Sequence, residues 1–311
     1  MLDEEPFDIR KDLVTVDRWQ SSSFIEHEVA VNVLRLDKIH PVISGNKWFK
    51  LKNYLSDALS QGSSSILSFG GAYSNHIVAT SYAAKAAGMQ SVGIIRGEPS
   101  GQESPTLKIA IKNGMQLHQI SRDSYKNRDK PDFLHALTKK YPGAYIIPEG
   151  GEGQKGMAGC KDLLQWIGKS QFSHILCAVG TGTFFSGIVN ACVSGELVEG
   201  IRILKGMADH THQYNKWISA PERKNACRVH YDYHFGGYAK KTPELIEFMN
   251  HLYLETGIPT DFVYTGKLFY ASFDLIIRRH FPKGSKLLII HSGGLQGNLS
   301  LPKGTLIYEN E

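Results

Sequence analysis

The sequence predicts an α/β protein: two three-layer α/β domains with mainly parallel sheets, the smaller inserted in the larger, and a ligand cleft between them. Three observations carry that expectation. Short apolar strand segments alternate with helical segments along most of the 311 residues, the pattern of parallel sheets with helices on both faces. One alternating strand precedes a compact run of such units and further strands follow it, so residues 1–49 and 151–311 are expected to form the large domain around a small domain at 50–150. Polar and glycine-rich turns stand at the carboxyl ends of several strands, where open α/β sheets bind ligands.

The elements follow in order. After a loose, acidic start, HEVAVNVLRLDKI (His27 to Ile39) puts Val29, Val31 and Val33 on one side, as a strand does. It leads into SGNKWFKL, Ser44 to Leu51, after which Trp48, Leu51, Leu55, Ala58 and Leu59 recur at helical spacing until Gly62. Lys47 therefore stands at a strand-to-helix junction. An apolar strand at Ile66 to Phe69, a glycine turn and an Ala-rich helix closed by Gly88 come next. The unit returns at SVGIIRGE with the segment after Pro105, at LHQI with DFLHALTKKY, and ends in the strand AYIIP at Pro148. Beyond the glycine cluster EGGEGQKGMAGC, the alternation resumes with HILCAVG, a helix from about Phe184, GIRILKG, another helix, and RVHYDY. Helices at Glu244 to Glu255 and Gly266 to His280 precede the strand KLLIIH, which ends in SGG.

Composition narrows the function. An apolar content of 41% is enough for a full core. Lys plus Arg number 35 against 30 Asp plus Glu, scattered without a basic stripe, so nothing points to nucleic acid or a membrane surface. MLDEEPFDIR lacks the apolar core of a signal peptide, and no apolar run reaches the roughly 18 residues of a bilayer span, so the expectation is a cytoplasmic protein. Cys160, Cys177, Cys192 and Cys227 lie far apart without a CxxC pair, which argues against a zinc site or a disulfide framework; no metal is expected.

Four turns carry polar groups. In SGNKWFKL, the amine of Lys47 follows a small Ser-Gly-Asn turn that lets backbone approach a planar cofactor, and an amine condenses with an aldehyde, so Lys47 is expected to carry pyridoxal phosphate. Read plainly, Asn46 is also an ordinary helix cap, and Lys47, Lys50 and Lys52 a solvated face. In FGGAYSNH, Gly70 and Gly71 allow a tight approach, and Ser74, Asn75 and His76 open a helix whose free N–H groups can bind a carboxylate; capping alone would explain Ser74. AVGTGTFFSGI offers Gly180, Thr181, Gly182 and Thr183 as a phosphate cradle at a helix start. Phe185 breaks the dinucleotide fingerprint and no GK[ST] follows, so one phosphate fits better than a pyrophosphate. PTDFVYTGK presents Tyr264 and Thr265, and IIHSGG presents Ser292.

Taken together, SGNKWFKLKNYL, SFGGAYSNH, the Gly-Thr loop, VYTGK and HSGG, in that order, resemble the D-cysteine desulfhydrase and 1-aminocyclopropane-1-carboxylate deaminase family, within the tryptophan-synthase β-like class of pyridoxal-phosphate enzymes called fold type II. The resemblance covers roughly Ile39 to Gly294. It implies that Lys47 holds the cofactor covalently, that Ser74 and Asn75 contact substrate carboxylate and cofactor, and that the loop Gly180 to Thr183 holds the phosphate. It further implies that Tyr264 packs near the cofactor as a proton-transfer group. The family usually has Gln where this chain has His76, so the substrate contact there is expected to differ. The deaminase branch places Glu after the tyrosine, against the pyridine nitrogen, and Leu before the final glycines; here those positions are Thr265 and Ser292. A carboxylate keeps the ring nitrogen protonated and the ring a strong electron sink, whereas a hydroxyl leaves a weaker one. Opening a cyclopropane needs the stronger sink and expelling a thiol does not.

The expectation is therefore a pyridoxal-phosphate lyase that converts D-cysteine to pyruvate, ammonia and hydrogen sulfide. The alternatives are 1-aminocyclopropane-1-carboxylate deamination, action on D-serine or a β-substituted D-alanine, and a non-catalytic ligand-binding protein on the same fold. A small amino-acid substrate and a homodimer complete it.

Overall fold

The computed structural model describes residues 7–98, 101–167, 171–205 and 217–308. The first half of the chain holds β1 (Val16–Trp19), α1 (Ser22–Glu26), β2 (Ala30–Arg35), α2 (Asn46–Ser60), β3 (Ser65–Gly71), α3 (Asn75–Ala86), β4 (Gln90–Arg96), α4 (Pro105–Lys112), β5 (Met115–Ile120), α5 (Arg122–Tyr125), α6 (Pro131–Lys140) and β6 (Ala144–Ile147). The second half holds α7 (Gln154–Lys161), β7 (His174–Val179), α8 (Thr183–Ala191), β8 (Leu197–Arg202), α9 (Pro221–Asn225), β9 (Cys227–His230), α10 (Pro243–Thr256), α11 (Thr265–Ile277) and β10 (Lys286–His291). Among the described residues no helix is long and apolar enough to cross a membrane.

Two sheets result. The larger runs β1-β2-β10-β7-β8-β9 and the smaller β5-β4-β3-β6. All pairings are parallel except that of β1 with β2. The strands of the small sheet are contiguous in the chain, whereas the large sheet joins β2 to β10, with Ala30 opposite Lys286. The two-sheet α/β architecture is thus the one expected from the alternation. We propose that the domains divide at residues 49/50 and 150/151; α2 runs unbroken across the first border.

Side-chain alternation builds the layers. Along β10, Leu288 and Ile290 face a core shared with Trp48, Leu51 and Leu55 of α2, Ile66 of β3 and Ile147 of β6. Leu287 and Ile289 face the other way, onto Leu268, Phe269 and Leu275 of α11. The outer face of the small sheet buries Leu67, Phe69, Val92 and Ile94 against Tyr125 and Leu137. α2 is therefore the wall common to both sheets.

The N-terminal region is not loose as expected: β1 pairs antiparallel with β2 from Val16 opposite Leu34 to Trp19 opposite Val31. It is an edge strand with only Trp19 buried, too short and too exposed to show a period. The expected helix between GIRILKG and RVHYDY appears only as α9, and residues 206–216 lie outside the described residues.

The glycine cluster after Pro148 hides a helix. In α7, a methyl group on Gly159 would lie 2.0 Å from the Phe49 carbonyl oxygen of α2, and one on Gly156 2.0 Å from that of Gly151. On α8, one on Gly187 would lie 2.5 Å from Cys160 Cβ. Glycine lowers helix propensity, but here it lets three backbones close on one another and fixes the height of α2. Gly159→Ala should therefore cost about 1–3 kcal/mol of stability by overpacking. Urea unfolding would read it as a lower midpoint, and an unchanged midpoint would mean that α2 and α7 can part freely.

Candidate active site

The site begins where the loop after β2 meets the end of β10. Gly45 has φ 64, and a methyl group on it would lie 1.7 Å from the Ser292 carbonyl oxygen, so glycine is required on both counts. Gly45 N–H donates to Leu36 O at 3.0 Å and Asn46 N–H to Ser292 O at 3.2 Å. These contacts hold the first turn of α2, and Lys47 with it, against the carboxyl end of the large sheet. Lys47 Nζ donates to Asn46 Oδ1 at 2.8 Å and lies 5.9 Å over the Tyr264 ring. Burial first, then the like charge of Lys50, bring the Lys47 ammonium down to about 7. Lys50, one turn on, is itself buried and lowered by burial.

β7 delivers the glycine-threonine loop. Gly182 takes left-handed backbone (φ 88) and opens α8 with no side-chain cap, so the first N–H groups and the helix dipole are left for an anion. Thr181 Oγ1 and Thr183 Oγ1 are 3.2 Å apart. Behind the loop, Arg202 Nη1 donates to Gly180 O at 2.5 Å. A methyl group on Gly180 would stand 3.6 Å from Tyr264 Cε1, and one on Gly150 3.6 Å from Thr181 Cγ2. Loop, tyrosine and Lys47 thus line one cleft.

The third side is the start of α3. Ser74 Oγ accepts the Ile77 N–H at 3.4 Å as its cap, which leaves the serine proton to donate elsewhere. Asn75 Nδ2 donates to Gly294 O at 3.3 Å and so ties α3 to the turn after β10. Its Oδ1 is buried with no partner among the described residues. His76 is committed within the small domain. Ser68 gives its one proton to Ile147 O at 2.8 Å, so at 2.9 Å it can only accept from His76 Nε2–H. Burial, with Lys47 and Lys50 nearby, pushes the His76 pKa down to about 3. The ring stays neutral, with an acceptor at Nδ1 that repels a carboxylate and with its only N–H spent. In this arrangement the His76 side chain has no N–H left to donate to a substrate carboxylate.

Thr265 bonds within its own turn. Its hydroxyl donates to Asp261 Oδ1 and accepts Asp261 N–H, each at 2.7 Å. That proton is not free for a pyridine nitrogen. Asp261 also takes the N–H groups of Val263, Tyr264 and Thr265 at 2.9 Å each, a turn that opens α11 and aims Tyr264 into the cleft. Burial raises the Asp261 pKa against the pull of these donors. Ser292, 7% exposed, remains as the hydroxyl beside the glycine turn. The Tyr264 hydroxyl bonds that of Tyr238, and burial, followed by Tyr238 and Asp261, raises it well above the usual phenol.

The structure brings Lys47, Tyr264, the loop from Gly180 to Thr183, Ser74, Asn75 and Ser292 around one cleft. Sequence reasoning missed Asp261, Tyr238 and Arg202. Of these only Asp261 carried a signal, an acidic residue four positions before Thr265 in a helix start. The residues fit pyridoxal phosphate: an amine brought near neutrality for the aldehyde, an uncapped helix start with two hydroxyls for one phosphate, and the orphaned Asn75 Oδ1 for a polar ring substituent.

A family model described as pyridoxal-phosphate dependent enzyme matches residues 19–293. A Pyrococcus horikoshii protein provisionally named 1-aminocyclopropane-1-carboxylate deaminase is 29% identical over 267 residues, 82% of this chain and 81% of that one. The Arabidopsis thaliana bifunctional D-cysteine desulfhydrase/1-aminocyclopropane-1-carboxylate deaminase, a mitochondrial protein, is 27% identical over 288 residues, 82% of this chain and 70% of that one. The crystal structure of a 1-aminocyclopropane-1-carboxylate deaminase homologue superposes with a TM-score of 0.79 at 27% identity, covering 92% of this chain and 90% of that one.

Because only the free amine attacks an aldehyde, capture of pyridoxal phosphate by cofactor-free protein should accelerate with pH to a half-point near 7 and then level off. Lys50→Gln removes a like charge, so Lys47 holds its proton more tightly and the half-point moves up. Stopped-flow absorbance against pH measures both; a half-point that stayed or fell would count against the lysine pairing.

Proposed function

The chain belongs to the pyridoxal-phosphate dependent enzyme family, and from that premise we propose that it is a lyase that takes D-cysteine and water to pyruvate, ammonia and hydrogen sulfide. The observation that carries the reading is at position 265. Next to Tyr264 the chain has a hydroxyl whose proton is committed to Asp261, not a carboxylate free to keep a ring nitrogen protonated. Such a site favours departure of a good leaving group over cleavage of a carbon–carbon bond.

The bound cofactor supplies the sink for the electron pair left at the substrate Cα. Everything else falls to the chain. Lys47 would hold the cofactor, and Ser74 with the N–H groups at the start of α3 would receive the substrate carboxylate. Thr181, Thr183 and the open end of α8 would hold the phosphate, and Asn75 would offer its unpartnered Oδ1 to the cofactor. Tyr264 stays a phenol at neutral pH because its pKa is raised, so it can give a proton but not take one. Removal of the Cα proton is therefore assigned to Lys47, whose amine is half ionised at about 7. The thiol then leaves from Cβ, and water hydrolyses the released aminoacrylate to keto acid and ammonia.

A second reading, 1-aminocyclopropane-1-carboxylate deamination to 2-oxobutanoate, is favoured by the names of the relatives. Keto-acid assays on both substrates separate them. Wild type should make pyruvate from D-cysteine with a kcat/KM well above that for the cyclopropane acid, and parity or reversal would reject the proposal. Lys47→Ala should lose turnover with both substrates while keeping its circular dichroism spectrum. If reductive trapping of the cofactor labelled Lys50 instead, the assignment of Lys47 would fail.

A further inference from the structure

Away from the cleft, three ligand-type side chains converge on the sheet face covered by α11. Glu199 comes from the middle of β8. His230 ends β9, where it pairs with Ile201, and strand alternation puts it on the same face as Glu199. His280 follows α11, whose end turns through left-handed backbone at Arg279 (φ 56). The three elements are distant in sequence, with Glu199 31 residues from His230 and 81 from His280, so no spacing motif could show them.

Both histidines present Nε2 to the one carboxylate, His230 at 2.7 Å from Oε2 and His280 at 3.2 Å from Oε1. One donor atom from each residue lies within 4.8 Å of the others. Glu199 is 4% exposed, whereas the histidine side chains keep 13% and 19%. Hydrogen bonding alone would satisfy the carboxylate, but it leaves a buried negative charge with no lysine or arginine paired to it among the described residues. Two imidazole nitrogens and a carboxylate are a donor set that zinc takes in three-ligand sites.

We propose that Glu199, His230 and His280 bind a divalent transition-metal ion of the zinc class, with water completing the shell. Each neutral imidazole moves its proton to Nδ1 and turns its Nε2 lone pair to the ion; a charged one releases a proton to solvent. With donors about 2.1 Å from zinc in a tetrahedral site, neighbouring donors stand roughly 3.4 Å apart, so the 2.7 and 3.2 Å contacts need to open by less than an ångström. The ion would pin the end of α11 to β8 and β9. The opposite end of that helix, about 20 Å away at 1.5 Å per residue, carries Tyr264.

The test uses untagged, cofactor-loaded full chain, stripped with a chelator and titrated with Zn2+ against a chromophoric competitor and separately with Co2+. The expected result is one Zn2+ per chain, at least ~10-fold weaker binding in His280→Gln, and a visible Co2+ band in wild type that the variant lacks. Melting temperature should rise with Zn2+ in wild type only. Should His280→Gln fail to fold, His230→Gln replaces it, and X-ray absorption at the zinc edge of wild type must show two imidazole ligands. An all-oxygen shell, no retained ion, or equal affinity in wild type and variant overturns the proposal.

Discussion

The structure depends on one close approach, that of Gly45 to the Ser292–Gly293 turn. There is no room for any side chain: a methyl group on Gly45 would overlap the Ser292 carbonyl, and one on Gly293 would lie 2.3 Å from Ser44 Oγ. Because interiors are close-packed, such contact fixes position and does not merely permit it. The loop after β2 is thereby locked to the end of β10, and everything that needs Lys47 in place follows. α2 starts there, forms the wall between the two sheets, and is held at its height by the glycines of α7.

The charge pattern of the cleft follows from that packing. Burial first, and then the like charge of Lys50 one turn on, keeps the Lys47 amine poised near neutrality. His76 is kept neutral by burial, with the same two lysines adding to it, and Tyr264 is kept protonated by burial and its neighbours. Asp261 is the buried carboxyl group beside Lys47 and Tyr264, and its oxygens are taken up by the turn that opens α11. The carboxyl group organises backbone first and reaches the chemistry through the field it casts on Lys47 and Tyr264.

Elements with a strong period or a glycine-bounded turn were legible in the sequence: β2, α2, β3, α3, β7 and β10, and with them the four turns that line the cleft. β1 was not, since one buried residue in four leaves no alternation to read. α7 was not, since its glycines argue against a helix locally and are explained only by helices distant in sequence. Residue types at the site were readable and their hydrogen bonds were not. Thr265 looked like a hydroxyl available to a ligand because nothing in VYTGK reveals that Asp261 claims it twice. His76 looked available because Ser68, its partner, sits eight residues back in a buried strand. Arg202 and Tyr238 reach the site from later parts of the chain and have no local signature.

The interleaving of the sheets also orders events in time. The small sheet is contiguous and can close over short loops, but β2 waits for β10, since Ala30 finds its partner only in Lys286. On a ribosome, a chain elongating at about 5–20 residues per second exposes β2 and the lysine turn for many seconds before the strand that completes them has emerged. During that interval the valines of β2 have an unpaired edge beside them, the kind of surface on which chaperones act and on which aggregates nucleate. Synthesis of this protein is therefore most vulnerable late, and variants that weaken β10 should lower its yield in cells before they alter the behaviour of molecules already folded.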